Sequence, residues 1–521
     1  MRQFVCLTNK GLCMLSKLFS VTFEGIEGII CEVEVHIKRS GFEKSLIVGL
    51  PDAAVKESIE RVQSAITNSG YNYPRTKSVI NLAPADVKKV GPAFDLPIAL
   101  GILLGTKAIQ SDYVKDFIIV GELALDGRVR PVNGILSMAM AAAEKGFKKM
   151  IVPIDNVREA GVVEDLEVYG TGSLSQTAEF LSGRLLLESA NVDIEQLFEQ
   201  AAAYDVDFAD VKGQESVKRA LTIAAAGGHN ILMIGPPGAG KTMLAQRLAT
   251  ILPRLSLTES LETTRVYSTV GLLEGKPLMA TRPVRMPHHT ATGAALIGGG
   301  TNPRCGELSL AHNGILFLDE FAEFQRHVLE MIRQPLEDKK VTVSRAKGSI
   351  TFPANFMLVA ATNPCPCGYF GSLQKRCKCT PNQIERYLAR ISGPMLDRID
   401  IHIDVPSVSF SKLRSKETSS GSGEIRQQVI AAREIQRKRF GEKKTTTNAT
   451  MTHRQISKFC GLNESAEMVL KNAMTEFGLS ARAHDKICKV ARTIADLENK
   501  ENINAEHIAE AVSYRKLDRS L

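Results

Sequence analysis

One stretch of the chain carries chemistry in its spacing alone. Gly235-Pro-Pro-Gly-Ala-Gly-Lys241-Thr242, with Pro236, Pro237, Gly238, Ala239 and Gly240 between its ends, matches G-x-x-x-x-G-K-[ST]. Glycines let backbone N–H groups approach phosphate oxygens, and a helix N-terminus adds partial positive charge. Lys241 would reach the β- and γ-phosphates and Thr242 would hold Mg²⁺. Downstream, Ile315-Leu-Phe-Leu318 runs into Asp319-Glu320, which puts two carboxylates at the end of an apolar strand, where open α/β sheets bind ligands. Asp319 would complete the Mg²⁺ site, and Glu320 would orient or deprotonate an attacking water. A third apolar run, Phe356 to Ala360, leads to Asn363, whose amide could hold that water or the γ-phosphate. Singly, the carboxylate pair is an ordinary strand end and Asn363 a turn residue; with the glycine loop they imply MgATP hydrolysis.

Such a loop needs a strand before it and a helix after it. Ile231 to Ile234 supplies the first, and the pattern Met243 to Leu252 the second. From a helix through Lys218 to Ala226, strands and helices alternate to about Pro406, which predicts a doubly wound, mostly parallel sheet. Earlier in the chain, Cys31, Val33, Val35 and Ile37 alternate with Glu32, Glu34, His36 and Lys38 in an amphipathic strand, and Leu46 to Val48 makes a short one. Val55, Ile59, Val62 and Ile66 recur at helical spacing, and Phe117 to Val132 reads as a hairpin turning at Asp126-Gly127. The C-terminal part reads as helices, with caps at Thr452, Ser480 and Asn504 and a stop at Gly478. The expected organisation is an α/β domain over 1–190, the phosphate-loop core over 205–408, and a linker with a small helical domain over 409–521. Ser411 to Gly423, rich in Ser, Lys and Gly, reads as a flexible loop.

Length and composition agree: 521 residues exceed one ordinary core. With 44% hydrophobic and 23% charged residues, and no apolar run of the roughly 18 residues needed to cross a bilayer, the composition is that of a soluble globular protein, and a cytoplasmic location is expected. The first stretch lacks a signal-peptide core, and Met14 is an alternative start. Ten cysteines in so long a chain suggest reduced thiols. The net charge of +8 permits a nucleic-acid partner without demanding one. Cys365, Cys367, Cys377 and Cys379 have the spacing C-x-C-x₉-C-x-C, which could supply a tetrahedral zinc site, although the two-residue spacing of zinc ribbons is missing. The interleaved Lys375, Arg376 and Lys378 suit a loop facing nucleic acid equally well. For His288-His289, a structural or DNA-facing loop rather than a metal motif is expected, because adjacent side chains point apart on a strand and no carboxylate lies at ligand spacing.

Several longer strings carry a family resemblance: Arg282-Pro-Val-Arg-Met-Pro-His-His-Thr290, Gly306 to Glu320, Asn363-Pro-Cys-Pro-Cys-Gly368 and Ala491-Arg-Thr-Ile-Ala-Asp-Leu497. From Met14 to Arg515 the chain resembles the magnesium-chelatase-like AAA+ ATPases of bacteria, in the ComM/YifB competence-protein group. The resemblance implies an AAA+ core and a homo-oligomeric ring, expected to be a hexamer. It makes Arg398 the arginine finger offered to a neighbouring subunit, with Arg390 as competitor, and Arg482 the second sensor arginine. It also makes Val341 to Phe352 a basic-tipped hairpin in the ring's pore, with Arg345 and Lys347 on DNA phosphates; without it, the same hairpin would be an ordinary surface feature. The N-terminal part looks like the proteolytic domain of Lon-type proteases, on Val90-Gly-Pro-Ala-Phe-Asp-Leu-Pro97 and Gly121 to Pro131. Ala93 and Leu136 stand where that pattern has its serine and lysine, so acyl transfer has no nucleophile or base, and a scaffold or DNA-guiding module is expected. The leading expectation is an ATP-driven DNA motor, a helicase promoting branch migration in recombination or natural transformation. A chelatase-type ATPase that remodels a protein partner and a nucleotide-gated DNA-binding scaffold are the alternatives.

Overall fold

Alternation with a period of two must put one set of side chains on each face of a strand. In the strand Glu27–Ile37, Cys31, Val33 and Val35 are buried, while Glu32, Glu34 and His36 are half-buried. The computed structural model describes residues 14–38, 45–201, 204–273, 275–300, 303–345, 348–371, 375–408, 420–441 and 446–515. The chain divides into two compact units, Met1–Gln200 with Ser260–Met279, and Ala201–Glu259 with Ala280–Leu521.

The first unit is built on a seven-stranded mixed sheet in the order Ser45–Val48, Ser78–Ala83, Glu27–Ile37, Met14–Glu24, Phe117–Ile119, Lys149–Pro153, Glu167–Thr171. Helix Ala53–Asn68 starts where the Asp52 carboxylate accepts the Val55 N–H, and it buries Val55, Val62 and Ile66. The predicted hairpin is shorter than expected. Phe117–Ile119 pairs in parallel with two strands of the main sheet, and only Glu122–Leu123 and Val129–Arg130 face each other across Asp126-Gly127. Phe117, Ile118 and Ile119 are all buried, which marks a strand covered on both faces.

The second unit holds a five-stranded, wholly parallel sheet in the order Val284–Arg285, Ile315–Leu318, Met357–Thr362, Ile231–Ile234, Ile401–Asp404. Its three central strands are buried at every position, as helices on both faces require. Helix Lys241–Ile251 begins two residues earlier than the apolar pattern suggested, because Lys241 itself opens it. The C-terminal helices share this unit's core: Ile487, Ile494 and Ile508 belong to one apolar cluster with Ala224, Leu248 and Val429. Thr452, Ser480 and Asn504 cap their helices with side-chain oxygens, and Gly478 ends Glu464–Phe477 in the left-handed region. A buried charge joins sheet to helices: Asp400 faces Lys486 Nζ at 2.9 Å and His229 Nδ1 at 3.3 Å, and the Lys486 ammonium with the His229 hydrogen bond holds its carboxyl below the usual range despite burial.

The hairpin of the second unit pairs Lys340–Arg345 with Gly348–Pro353, Val341 opposite Phe352. Its tip residue Lys347 and the Arg345 side chain lie outside the described residues. So does the expected loop from Ser411 to residue 419, and Ser422 already opens the helix Ser422–Phe440.

Candidate nucleotide site

The glycine loop leaves the C-terminal end of Ile231–Ile234 and delivers Lys241 and Thr242 at the first turn of their helix. Gly240, at φ +86, makes the turn from loop to helix, a conformation that side chains with a Cβ rarely adopt. Lys241 Nζ donates to the carbonyls of Gly235 at 2.7 Å and Pro236 at 3.1 Å and to Asn363 Oδ1 at 3.1 Å. Burial pushes this ammonium below the usual lysine range, and Asp319 and Glu320 oppose the shift. Thr242 Oγ1 donates to Asp319 Oδ2 at 2.7 Å. Neighbouring ligands of an octahedral Mg²⁺, each about 2.1 Å from the ion, lie about 3 Å apart. The hydroxyl and carboxylate are thus spaced to share one cation, and Lys241 with the loop amides suits a polyphosphate beside it.

Glu320 follows Asp319 with φ +52, a left-handed conformation uncommon for a residue with a side chain and frequent at functional sites. Its N–H donates to Asp319 Oδ1 at 2.9 Å, and its carboxylate Oε2 lies 2.9 Å from His289 Nδ1. The loop expected for the histidine pair is there, but its rings do not point apart and a carboxylate does reach it. The two rings sit together, centroids 4.1 Å apart, because His288 and His289 lie beyond the strand Val284–Arg285 in irregular chain. The carboxylate partner comes from a residue distant in sequence. Both histidines line a cavity of about 310 Å³ with Met286, Pro287, Phe317, Asp319 and Glu320. Sequence spacing missed His289; the only available sign was its place in the Arg282–Thr290 string. The same string is anchored by Arg282 on Glu259 at 3.0 Å and by a two-pronged pair of Arg285 with Glu307 at 2.7 and 2.8 Å.

Each of the three arginines pairs with a carboxylate other than Asp319 and Glu320. Arg398 is largely buried, paired with Glu337 at 2.7 Å and donating to Pro394 O at 2.7 Å. Arg390 is more exposed and pairs with Glu323 at 2.6 Å, while Arg482 is 70% exposed with Asp397 at 3.4 Å. The four cysteines do converge: their sulfurs all lie within 4.8 Å of one another. Amides of Lys378 and Tyr369 pull the Cys367 thiol below the usual range, while burial and the neighbouring thiols raise Cys377 and Cys379 against the amides that face them.

Residues 207–413, which contain the whole nucleotide cluster, match the family model described as magnesium chelatase, subunit ChlI. Residues 33–156 match subunit ChlI of Mg-chelatase, and 419–515 its C-terminal region. Competence protein ComM of Haemophilus influenzae is 42% identical over 97% of this chain and 98% of its own length. This chain belongs to the magnesium-chelatase-like family, together with ComM. YifB of Escherichia coli is another such relative, 43% identical over 95% of this chain and 96% of its own.

One stretch covering 33% of this magnesium-chelatase-like chain is also 28% identical to Lon protease 2 of Bacillus subtilis, over 35% of that protein. Ala93, 5% exposed, packs among Val21, Ile118 and Val120, and Leu136, fully buried, among Val162 and Leu278. Hydrocarbon occupies both positions. Among the described residues no helix is long and apolar enough to cross a membrane.

Proposed function

We propose that this protein is a MgATP-hydrolysing motor that works on DNA as a ring, a hexamer by family resemblance, and promotes branch migration during recombination of incoming DNA. The observation that carries the ATPase part is the meeting of three strand ends: Lys241 with Asn363, and Thr242 with Asp319, across 122 and 77 residues of chain. Lys241 and the loop amides bind the phosphates, Thr242 and Asp319 hold Mg²⁺, and Asn363 acts on the same oxygens as Lys241. Glu320 accepts the proton of the attacking water, with His289 orienting its carboxylate. Arg398 serves a neighbouring subunit, which requires exchange of its Glu337 partner for phosphate when the ring assembles. Arg482 acts from the helical domain. The modules over 1–190, 205–408 and 409–521 divide the work into scaffold, engine and sensor.

DNA as the substrate rests on the relative whose name ties it to competence, and on the hairpin ending at Arg345 and Lys347, whose cations suit phosphates without reading sequence. ATP hydrolysis is the decisive measurement, made with and without single-stranded, duplex and forked DNA, with Glu320→Gln as blank. Strong stimulation by DNA supports the motor; indifference to every DNA sinks it. Indifference would favour the second reading, a chelatase-type ATPase that remodels a protein partner, which the three family matches support on their own. Arg398→Ala should remove about 10³-fold or more of the hydrolysis rate. Doping Lys241→Ala chains into wild type should poison the ring more than in proportion, and simple dilution kinetics would count against shared sites.

A further inference from the structure

The connection from Asn363 to Thr380 contains no helix or strand among its described residues. A connection of that length has little of its own to fix it. Four thiols stand where something could fix it. Cys365, Cys367 and Cys377 have sulfurs 3.4, 3.7 and 3.6 Å apart, and Cys379 lies within 4.8 Å of each. Four sulfurs around one Zn²⁺, each about 2.3 Å away, are about 3.8 Å from one another. A disulfide needs about 2.05 Å, and all four cysteines are free thiols. Backbone N–H groups already aim at the sulfurs: Phe370 N donates to Cys365 Sγ at 3.3 Å and Cys379 N to Cys377 Sγ at 3.4 Å. Such donors stabilise thiolates and set the orientation of metal ligands. Lys375, Arg376 and Lys378 supply positive charge to a thiolate cluster that outweighs a divalent ion.

The cluster sits against the nucleotide site. Cys365 is fully buried and lies two residues after Asn363. Gly368, at φ +82, closes a turn by donating its N–H to Cys365 O at 2.9 Å. A Cβ on Gly368 would lie 2.6 Å from Pro237 Cδ and 3.9 Å from Asn363 Cγ, so the backbone of this turn leans on the middle of the phosphate loop. On the far side, Cys379 precedes Thr380, which caps helix Pro381–Leu388, the element leading to Arg390.

We propose that Cys365, Cys367, Cys377 and Cys379 bind one Zn²⁺, and that this ion clamps the segment carrying Asn363 onto Pro237, so that metal occupancy sets the geometry of the nucleotide site. The metal site stands on the cysteines alone, whereas the clamp rests on the ATP-site reading above. A metal crosslink offsets the conformational entropy of an irregular connection and is lost when the thiols are oxidised or the metal is chelated.

The test uses the full chain, purified under reducing conditions without chelators. Metal analysis should find one Zn²⁺ per chain, released in step with mercurial titration of four thiols. Exchange for Co²⁺ should give the visible absorption of a tetrahedral thiolate complex, a readout that needs no variant. Cys367→Ser should lose the metal, and both this variant and the stripped wild type should bind a fluorescent ADP analogue several-fold more weakly, with Zn²⁺ restoring the stripped protein alone. Lys241→Ala should lose the nucleotide and keep the zinc. Four freely reactive thiols with no zinc after reconstitution would overturn the site. Zinc bound at one per chain with nucleotide affinity indifferent to its removal would overturn the clamp. Wild type that holds zinc but binds no nucleotide would also remove the clamp, and with it the ATP-site reading, while leaving the metal site established.

Discussion

Each unit buries a lysine whose ammonium donates to carbonyls close by in sequence. Lys89 in the first unit is fully buried and bonds the carbonyls of Pro84 and Val87; Lys241 in the second, 8% exposed, bonds those of Gly235 and Pro236. Burial lowers the pKa of both. They differ in what else arrives. Asn363 reaches Lys241 from another strand, and Asp319 and Glu320 act on it through space. Lys89 has the Cys31 thiol and Asp86 as its electrostatic neighbours. A buried ammonium satisfied by its own loop is a structural device; the same device becomes a site when groups from separate strand ends converge on it at a helix N-terminus.

The largest effect that would break this contrast is at the second lysine. Lys241→Ala should abolish nucleotide binding in equilibrium titrations while leaving the fold intact, and Glu320→Gln should keep binding and cut hydrolysis by about 10²–10⁴-fold. Retained turnover in Glu320→Gln would remove its assigned role. Lys89→Met should do the opposite: ATP hydrolysis per folded chain stays the same, and unfolding in urea shows a loss of about 1–3 kcal/mol for each carbonyl left without its donor. Equal damage to hydrolysis would erase the distinction between the two lysines.

A third buried base sharpens the contrast from the side of pH. His402 is 2% exposed, its ring nitrogens have no protein partner among the described residues, and burial holds its pKa well below the ordinary 6.5, with Arg515 and Lys486 adding to the effect. His229 shifts the same way by burial. Below about pH 6.5 the unfolded chain takes up the proton first. Stability present above that pH is therefore lost on acidification, by at most about 1.4 kcal/mol per pH unit for each group. Melting temperatures measured from pH 7 to 5 should fall, and His402→Leu should fall less steeply. The smallest effect concerns DNA: neutralising Arg345 and Lys347 should reduce the slope of log affinity against log salt by roughly one to two. An unchanged slope would take the hairpin out of the DNA path.

Much of the second unit was legible because its signals are local. The strand Ile231–Ile234 and the strand Ile315–Leu318 lie where four-residue apolar runs put them, since a strand covered on both faces needs no polar alternation. Caps at Thr452, Ser480 and Asn504 were readable for the same reason, each depending on a side chain and an amide three residues on. The hairpin from Phe117 was misjudged because a tight turn at Asp126-Gly127 says nothing about which strand pairs beyond it. The carboxylate partner of His289 was missed because Glu320 is distant in sequence and reaches it only through sheet order.

By itself the sequence determined the phosphate-loop motif, the carboxylate pair and the cysteine spacing, since each is written in neighbouring residues. The tertiary structure decided which strand ends meet. It brought Asn363 to Lys241, Glu320 to His289 and the turn at Gly368 against Pro237, and it folded Arg398 back onto Glu337. Parallel strands are joined by long crossovers, so neighbours in the sheet are far apart in the chain, and only their packing order says whose side chains share a point in space.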